Sequence, residues 1–243
     1  MTVFLVGGGP DTAGPGLVAP FLAEVRAAAT GRARVAVLLC GPAHRTWRQL
    51  PAARRVLADA AVDLRPVHLR AGRPVPAAAL AGVGGVVVGG GVPGAYLASL
   101  APVAAEVAAA VAAGTPYLGF SAGAMVAART ALLGGHRSGG REVCPAGWSE
   151  GLMPVTVAPG LGLVGFPVDA HTAAAGTLGR TVALVDAGTA PVAAGIDEGT
   201  CLALPVGAQD PADGVVTGSG GVWTVRRGGD GAVVTVRSGR DAG

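Results

Sequence analysis

Short apolar runs alternate along this chain with longer stretches in which apolar residues recur every three or four positions. Residues 3–6, VFLV, read as a first strand that runs into Gly7, Gly8, Gly9 and Pro10. A helical pattern follows at about residues 17–29. Residues 35–40, VAVLLC, are apolar without a break, the mark of a strand buried on both faces of a parallel sheet. Residues 44–60 read as a helix interrupted near Pro51, and 63–69 as a strand. Residues 83–88 form another strand, ending in Gly89, Gly90 and Gly91. A helix over 95–113 and a strand over 117–120 complete the series. This alternation predicts a three-layer α/β/α fold of the flavodoxin-like kind, with a mostly parallel central sheet and helices on both faces.

After residue 131 the pattern loosens. Residues 134–148 are rich in glycine and arginine and read as a loop near the site. Strands are expected at 164–168 and 192–196, around a helix at 173–185. Three short candidates, 214–217, 222–226 and 232–236, have glycine turns between them and predict an antiparallel appendage at the sheet edge. Neither a repeat nor a long linker is visible, so residues 1–243 are expected to form a single domain.

Composition narrows the classes. The 243 residues are 51% apolar and 14% charged. No stretch reaches about 18 uninterrupted apolar residues, so no membrane span is predicted. The first six residues lack the basic region of a signal peptide and run straight into the first strand. Cys40, Cys144 and Cys201 are scattered and odd in number, with neither metal spacing nor a disulfide framework. That pattern fits a reducing compartment, so a cytoplasmic location is expected. All 18 basic residues are arginine. Without lysine there is no P-loop lysine, no Schiff base and no Ser–Lys dyad within this chain. Without asparagine, an oxyanion hole has to be built from backbone. The arginines between 45 and 73 read as solvated helix faces and the net charge is only +3, so no nucleic-acid partner is expected. No metal or cofactor is expected either.

Candidate chemistry centres on residues 115–129, TPYLGFSAGAMVAAR. A strand, a serine between two glycines and a helix make the sequence form of a nucleophile elbow. The turn is tight, so its flanks need to be small, and Gly119, Ala122 and Gly123 are. Ser121 Oγ would stand at the sheet edge above a helix N-terminus, and the Ala122 N–H would point where an oxyanion forms. In a chain with 42 glycines the pentapeptide alone is weak, and its strand–turn–helix context gives it weight. GGGVPG at 89–94 matches a dinucleotide fingerprint. The acid expected about 20 residues on is missing from 114–120, however, and Pro93 removes an N–H. The same loop reads better as the source of a second oxyanion donor at Gly91.

A serine nucleophile needs a base and the base an orienter. His44 and His68 read as surface residues, and His136 sits in the Gly/Arg loop. His171 follows a strand at the C-terminal end, where sites of α/β folds collect. A lone histidine at a strand end is often structural, but the elbow requires such a partner. Asp197 and Glu198 lie between two apolar runs, and spacing alone leaves both open as the acid.

Four segments together resemble the family of peptidase E (aspartyl dipeptidase) and cyanophycinase, serine hydrolases on a fold like class I glutamine amidotransferases. They are VVVGGG at 86–91, GFSAGAMV at 119–126, GLGLVGFPVDAH at 160–171 and GIDEGTCLAL at 195–204. The closing VVTGSGGVWTVRR is also similar, so the likeness spans most of the chain. It implies Ser121 as nucleophile, His171 as base, Glu198 as acid, and Gly91 and Ala122 as oxyanion donors. It also implies a substrate pocket at Asp169, Arg180 and Val92, where this chain departs from the family. Asp169 is kept and Arg180 falls at the third of three arginine positions. Ala175 and Thr177 replace the first two arginines, Ala170 replaces a glutamine, and Val92 replaces a polar residue. Each lost charged hydrogen bond would cost roughly 1.5–3 kcal/mol, so cyanophycin is not the expected substrate. A small peptide or amide is, with a substrate carboxylate held by Arg180, Arg137 or Arg141 unless these are plain surface arginines. A homodimer is compatible with the pattern. Two readings of other classes stay open, a non-catalytic small-molecule-binding protein and a nucleotide-dependent oxidoreductase. A glutamine-amidotransferase-like enzyme would be expected to carry cysteine at the elbow.

Overall fold

A computed structural model describes residues 2–70 and 73–239, without the side chains of residues 43–45, 47 and 48. His44, read as a surface residue, therefore has its side chain outside the described residues. The first half alternates as the apolar pattern predicts: β1 (Thr2–Val6), α1 (Pro15–Ala27), β2 (Ala33–Cys40), α2 (Ala43–Val56), β3 (Val62–Leu69), β4 (Gly85–Val88), α3 (Pro93–Leu100), α4 (Ala104–Ala112) and β5 (Tyr117–Phe120). These five strands pair in parallel in the order β3-β2-β4-β5-β1. Successive strand residues point to opposite faces, and here both faces are covered. Phe4, Val6, Val35, Val37 and Leu39 pack with Leu17, Phe21 and Val25 of α1 and Leu50 and Ala53 of α2. Val3, Leu5, Ala36 and Leu38 pack with Tyr96 and Leu100 of α3 and Val107 and Val111 of α4.

The second half is less regular. It runs through α5 (Ala122–Val126), β6 (Thr130–Gly134), β7 (Arg137–Ser138), β8 (Arg141–Glu142), β9 (Thr156–Pro159), β10 (Val168–Ala170), α6 (Thr172–Ala175), α7 (Leu178–Asp186), β11 (Val192–Ile196), β12 (Thr200–Pro205), β13 (Val215–Gly218), β14 (Gly221–Arg227) and β15 (Ala232–Ser238). β12 joins the edge of the large sheet antiparallel to β1, and β13 follows it, giving seven strands. β10, β11, β14 and β15 form a separate four-stranded sheet. The expected appendage at one edge is thus divided: β13 extends the large sheet, whereas β14 and β15 extend the small one. α7 covers the small sheet through Val185 against Ala193 and Val225.

Three helices depart from their expected bounds. α2 continues through Pro51, whose missing N–H removes one bond without stopping the helix. The helix expected at 95–113 is divided by a 3-10 turn at Ala101–Val103, which contains Pro102. The helix expected at 173–185 is two, because Gly176 takes a left-handed φ of 66° between them. The run Pro93–Ala112 is long and apolar enough to cross a membrane by length and composition alone. Here its Tyr96, Leu100, Val103, Val107 and Val111 are buried in the core.

Candidate active site

The elbow forms because its two glycines have no side chain to place. A Cβ on Gly119 would lie 2.5 Å from the Gly123 carbonyl, and one on Gly123 would lie 2.2 Å from the Val88 oxygen. The serine between them takes φ 49° and ψ −110°, a sparsely populated conformation that costs on the order of 1–3 kcal/mol. Neighbouring backbone holds it there. Ser121 N–H donates to Val6 O at 2.9 Å, and Ser121 O accepts from Ala124 and Met125 N–H at 2.8 and 3.0 Å. α5 is only five residues long, so the helix-dipole contribution expected from the sequence is small, and the local N–H groups matter more.

His171 reaches the serine from the other sheet. It follows β10, takes a left-handed φ of 55° and caps α6. Its N–H donates to Gly7 O at 3.0 Å, and Gly7 N–H donates to Thr200 O at 3.1 Å. Gly7 therefore sits where the end of β1 meets the segment after β11. A Cβ there would fall 2.3 Å from the carbonyl oxygens of both Ile196 and Asp197. This close approach sets His171 Nε2 2.8 Å from Ser121 Oγ and His171 Nδ1 2.6 Å from Glu198 Oε1. An ionised carboxylate only accepts, so Nδ1 carries the ring hydrogen and Nε2 is left to accept from the serine hydroxyl. The Trp148 ring lies 5.1 Å from the His171 ring, tilted by 35°, and walls one side of it.

The two adjacent acids have separate positions. Glu198 faces His171. Asp197 turns inward: Oδ1 accepts from Ala173 N–H and Trp223 Nε1 and Oδ2 from Gly221 N–H, each at 2.9 Å. It fastens the start of α6 to β14 and so fixes the segment that carries His171.

A cleft of about 280 Å³ is lined by Ser121, His171, Glu198, Gly90, Gly91, Gln49 and the loop from Gly9 to Thr12. Gly91 lies in it and Ala122 directly follows Ser121, as an oxyanion pair requires. Val92 is 41% exposed and is not among the lining residues. Asp169 and Arg180, also expected at the substrate pocket, are not among the lining residues either. They bind each other, with Arg180 Nη2 2.7 Å from Asp169 Oδ1 and Nε 2.9 Å from Oδ2, and both are buried. Burial alone would lower the arginine pKa, but the adjacent carboxylate outweighs it and holds the guanidinium above its ordinary value. Arg180 Nη1 also donates to Trp148 O at 2.7 Å, so the pair anchors the loop that carries Trp148. Arg137 and Arg141 lie exposed on the β7–β8 pair. His136 Nδ1 is 3.2 Å from Leu152 O and His68 Nε2 is 2.9 Å from Gly41 O.

The sequence reading missed Gln49, Asp11, Thr12 and Trp148. The glycine run after the first strand was the available signal for the Gly9–Thr12 loop. The Gly/Arg loop expected near the site was the signal for Trp148. For Gln49, inside a helix, the sequence offered none.

No family model matches the chain, and a search of curated proteins finds no match. Among solved structures, the chain is similar to a peptidase from an acI-B1 actinobacterium. The TM-score is 0.58 at 18% identity, covering 98% of this chain and 94% of that one. At that identity the likeness is one of fold: a mixed α/β architecture around a mostly parallel sheet.

Proposed function

We propose that this protein is a serine hydrolase of the peptidase E kind that cleaves a small peptide or amide bond through an acyl-enzyme. One observation carries this reading: an unbroken hydrogen-bonded line from Ser121 Oγ through the His171 ring to Glu198. In the first step Ser121 Oγ bonds to the substrate carbonyl carbon while its proton passes to His171 Nε2. The carbonyl electron pair moves onto oxygen, where the N–H groups of Gly91 and Ala122 receive the charge. Glu198 holds the ring hydrogen on Nδ1 and stabilises the imidazolium. The amine leaves with the proton from Nε2, and water then repeats the path to free the acid and restore Ser121. The positive φ of both Ser121 and His171 supports the same reading, since strained backbone gathers where chemistry dictates side-chain direction. The peptidase named among the structural neighbours is compatible with it. Arg180 is bound by Asp169, and among the described residues no arginine lines the cleft. A panel of dipeptides with N-terminal Asp, β-Asp and apolar residues tests the proposal. Turnover of a panel member by wild type and not by Ser121→Ala is expected. Equal turnover by both would sink it.

A further inference from the structure

The glycine loop after β4 carries a feature that the triad does not explain. The Gly90 carbonyl accepts two side-chain hydrogen bonds, from Gln49 Nε2 at 3.0 Å and from Tyr96 Oη at 3.2 Å. The donors come from opposite layers, Gln49 on α2 and Tyr96 on α3. Tyr96 is itself held, because its oxygen accepts from Cys40 N–H at 3.0 Å at the end of β2. Its side chain is fully buried, and burial pushes the phenol well above its ordinary pKa, so it stays a donor at any working pH. Gln49 makes its bond at a cost, since its Oε1 is buried and finds no hydrogen-bond partner among the described residues. Turning the amide over would satisfy nothing, because it would set oxygen against the Gly90 oxygen. A buried acceptor left orphaned calls for an explanation, and the fixed aim of Nε2 supplies one.

In a trans peptide the C=O and the next N–H point in opposite directions, and every peptide bond of the described residues is trans. Holding the Gly90 oxygen on Gln49 and Tyr96 therefore fixes the plane of this peptide and turns the Gly91 N–H to the opposite side from those two donors. Gly91 sits at φ 146°, which a side chain would strain. A Cβ there would also press on Cys40 O at 3.3 Å and on the Tyr96 ring at 3.4 Å. Gly90 backs directly onto the serine: a Cβ on it would lie 3.5 Å from Ser121 Cβ.

Resting on the serine-hydrolase reading, we propose that Tyr96 and Gln49 are positioning residues that lock the Gly90–Gly91 peptide with its N–H facing the oxyanion. Rotation of this one peptide would bring a carbonyl oxygen to the place where negative charge develops, and the site would repel its own transition state. Two donors from two layers hold the productive orientation before substrate arrives, and such preorganisation is what gives oxyanion donors their effect.

The test uses the rate of phosphonylation of Ser121 by a fluorophosphonate, a reaction that builds charge on an oxygen as acyl transfer does. Tyr96→Phe and Gln49→Ala are each expected to slow the maximal labelling rate by about 10-fold and together by about 100-fold. The half-saturating probe concentration should stay within about twofold, because the charge exists only in the transition state. Gln49→Glu, which keeps the volume but turns a donor into an acceptor, is expected to be slower than Gln49→Ala. A purely structural role would rank those two the other way. Circular dichroism confirms that each variant folds, and half-buried Gln49 provides the test if Tyr96→Phe does not. Labelling of all variants within about twofold of wild type would overturn the clamp and leave the hydrolase reading standing, as would a loss confined to half-saturation or the reversed ranking. Wild type that labels nowhere would instead remove the hydrolase reading, and the clamp with it.

Discussion

Ser121 and His171 both stand one residue past a strand with a positive φ, yet their strands belong to different sheets. The seven-stranded sheet presents Ser121 at the end of β5, Gly90 and Gly91 at the end of β4, and the Gly9–Thr12 loop after β1. The four-stranded sheet presents His171 after β10 and Glu198 after β11. On the first sheet, contacts within a few residues build the elbow. On the second, the histidine and its acid are 27 residues apart and meet only because β10 and β11 pair. The difference teaches that an elbow can be written into a short motif, whereas the histidine and the carboxylate beside it are brought there by tertiary packing, with Gly7 at the point of closest approach.

The largest expected effect separates the two adjacent acids. Glu198→Gln should lower kcat by about 10³–10⁴-fold, the order seen when the acid of a serine triad becomes an amide, with the denaturation midpoint nearly unchanged. Asp197→Asn should do the reverse. Its amide would set a donor against one of three N–H donors, costing about 1–3 kcal/mol of stability, with a far smaller effect on kcat. Steady-state kinetics beside urea denaturation distinguishes them, and interchanged outcomes would show that the acid assignment is wrong.

Next is the buried pair that the sequence placed in the substrate pocket. Asp169→Ala strands the Arg180 charge in the core and should cost about 3–5 kcal/mol. Replacing both residues by leucine or methionine should recover much of that, because an apolar pair of similar volume avoids the desolvation cost. If the double variant instead lost turnover of acidic substrates selectively, a binding role would be restored to Arg180.

The junction itself comes third. Gly7→Ala would force its methyl against two carbonyl oxygens and should destabilise by about 3 kcal/mol. Because the strain falls where the sheets meet, residual folded protein should also lose turnover. Full activity in such a variant would mean that the contact is not what sets His171 against Ser121.

These magnitudes follow the same division that governed what was legible. The five parallel strands could be read because their apolar runs are continuous and both faces are buried. The elbow could be read because Gly119 and Gly123 are dictated by backbone a few residues away. The choice between Asp197 and Glu198 could not be made from spacing, since one residue along a turn reverses which side chain faces the cleft. Resemblance selected Glu198, and the geometry shows Glu198 on His171 and Asp197 on β14. The pairing of Asp169 with Arg180 could not be read, because a carboxylate and an arginine suit a ligand and each other equally well, and only the fold shows the two buried against one another. Strands β13 to β15 were seen, but which sheet each would join depends on pairing that has no local signature.

The smallest effect is expected at the Asp210–Arg226 pair. The Arg226 hydrogen bonds hold Asp210 below the ordinary carboxylate pKa. A depressed folded pKa adds stability that is present above the unfolded value, near 3.9, and is lost as pH falls through the folded one. The pair is about one-third exposed, and solvent screens it, so Asp210→Asn should cost only about 0.5–1 kcal/mol at pH 7. The deficit should shrink below about pH 4, and urea melts at pH 7 and pH 3 check it. A deficit that grew on acidification would contradict the pairing.

The central claim, that the two sheets bring a working nucleophile and its base together, is tested most directly by mass spectrometry after a fluorophosphonate probe. Wild type, Ser121→Ala and His171→Ala would be compared as folded proteins. A single adduct on Ser121 is predicted in wild type, absent from Ser121→Ala and slowed at least about 10³-fold in His171→Ala. No adduct in wild type, or one formed equally fast without His171, would contradict the account.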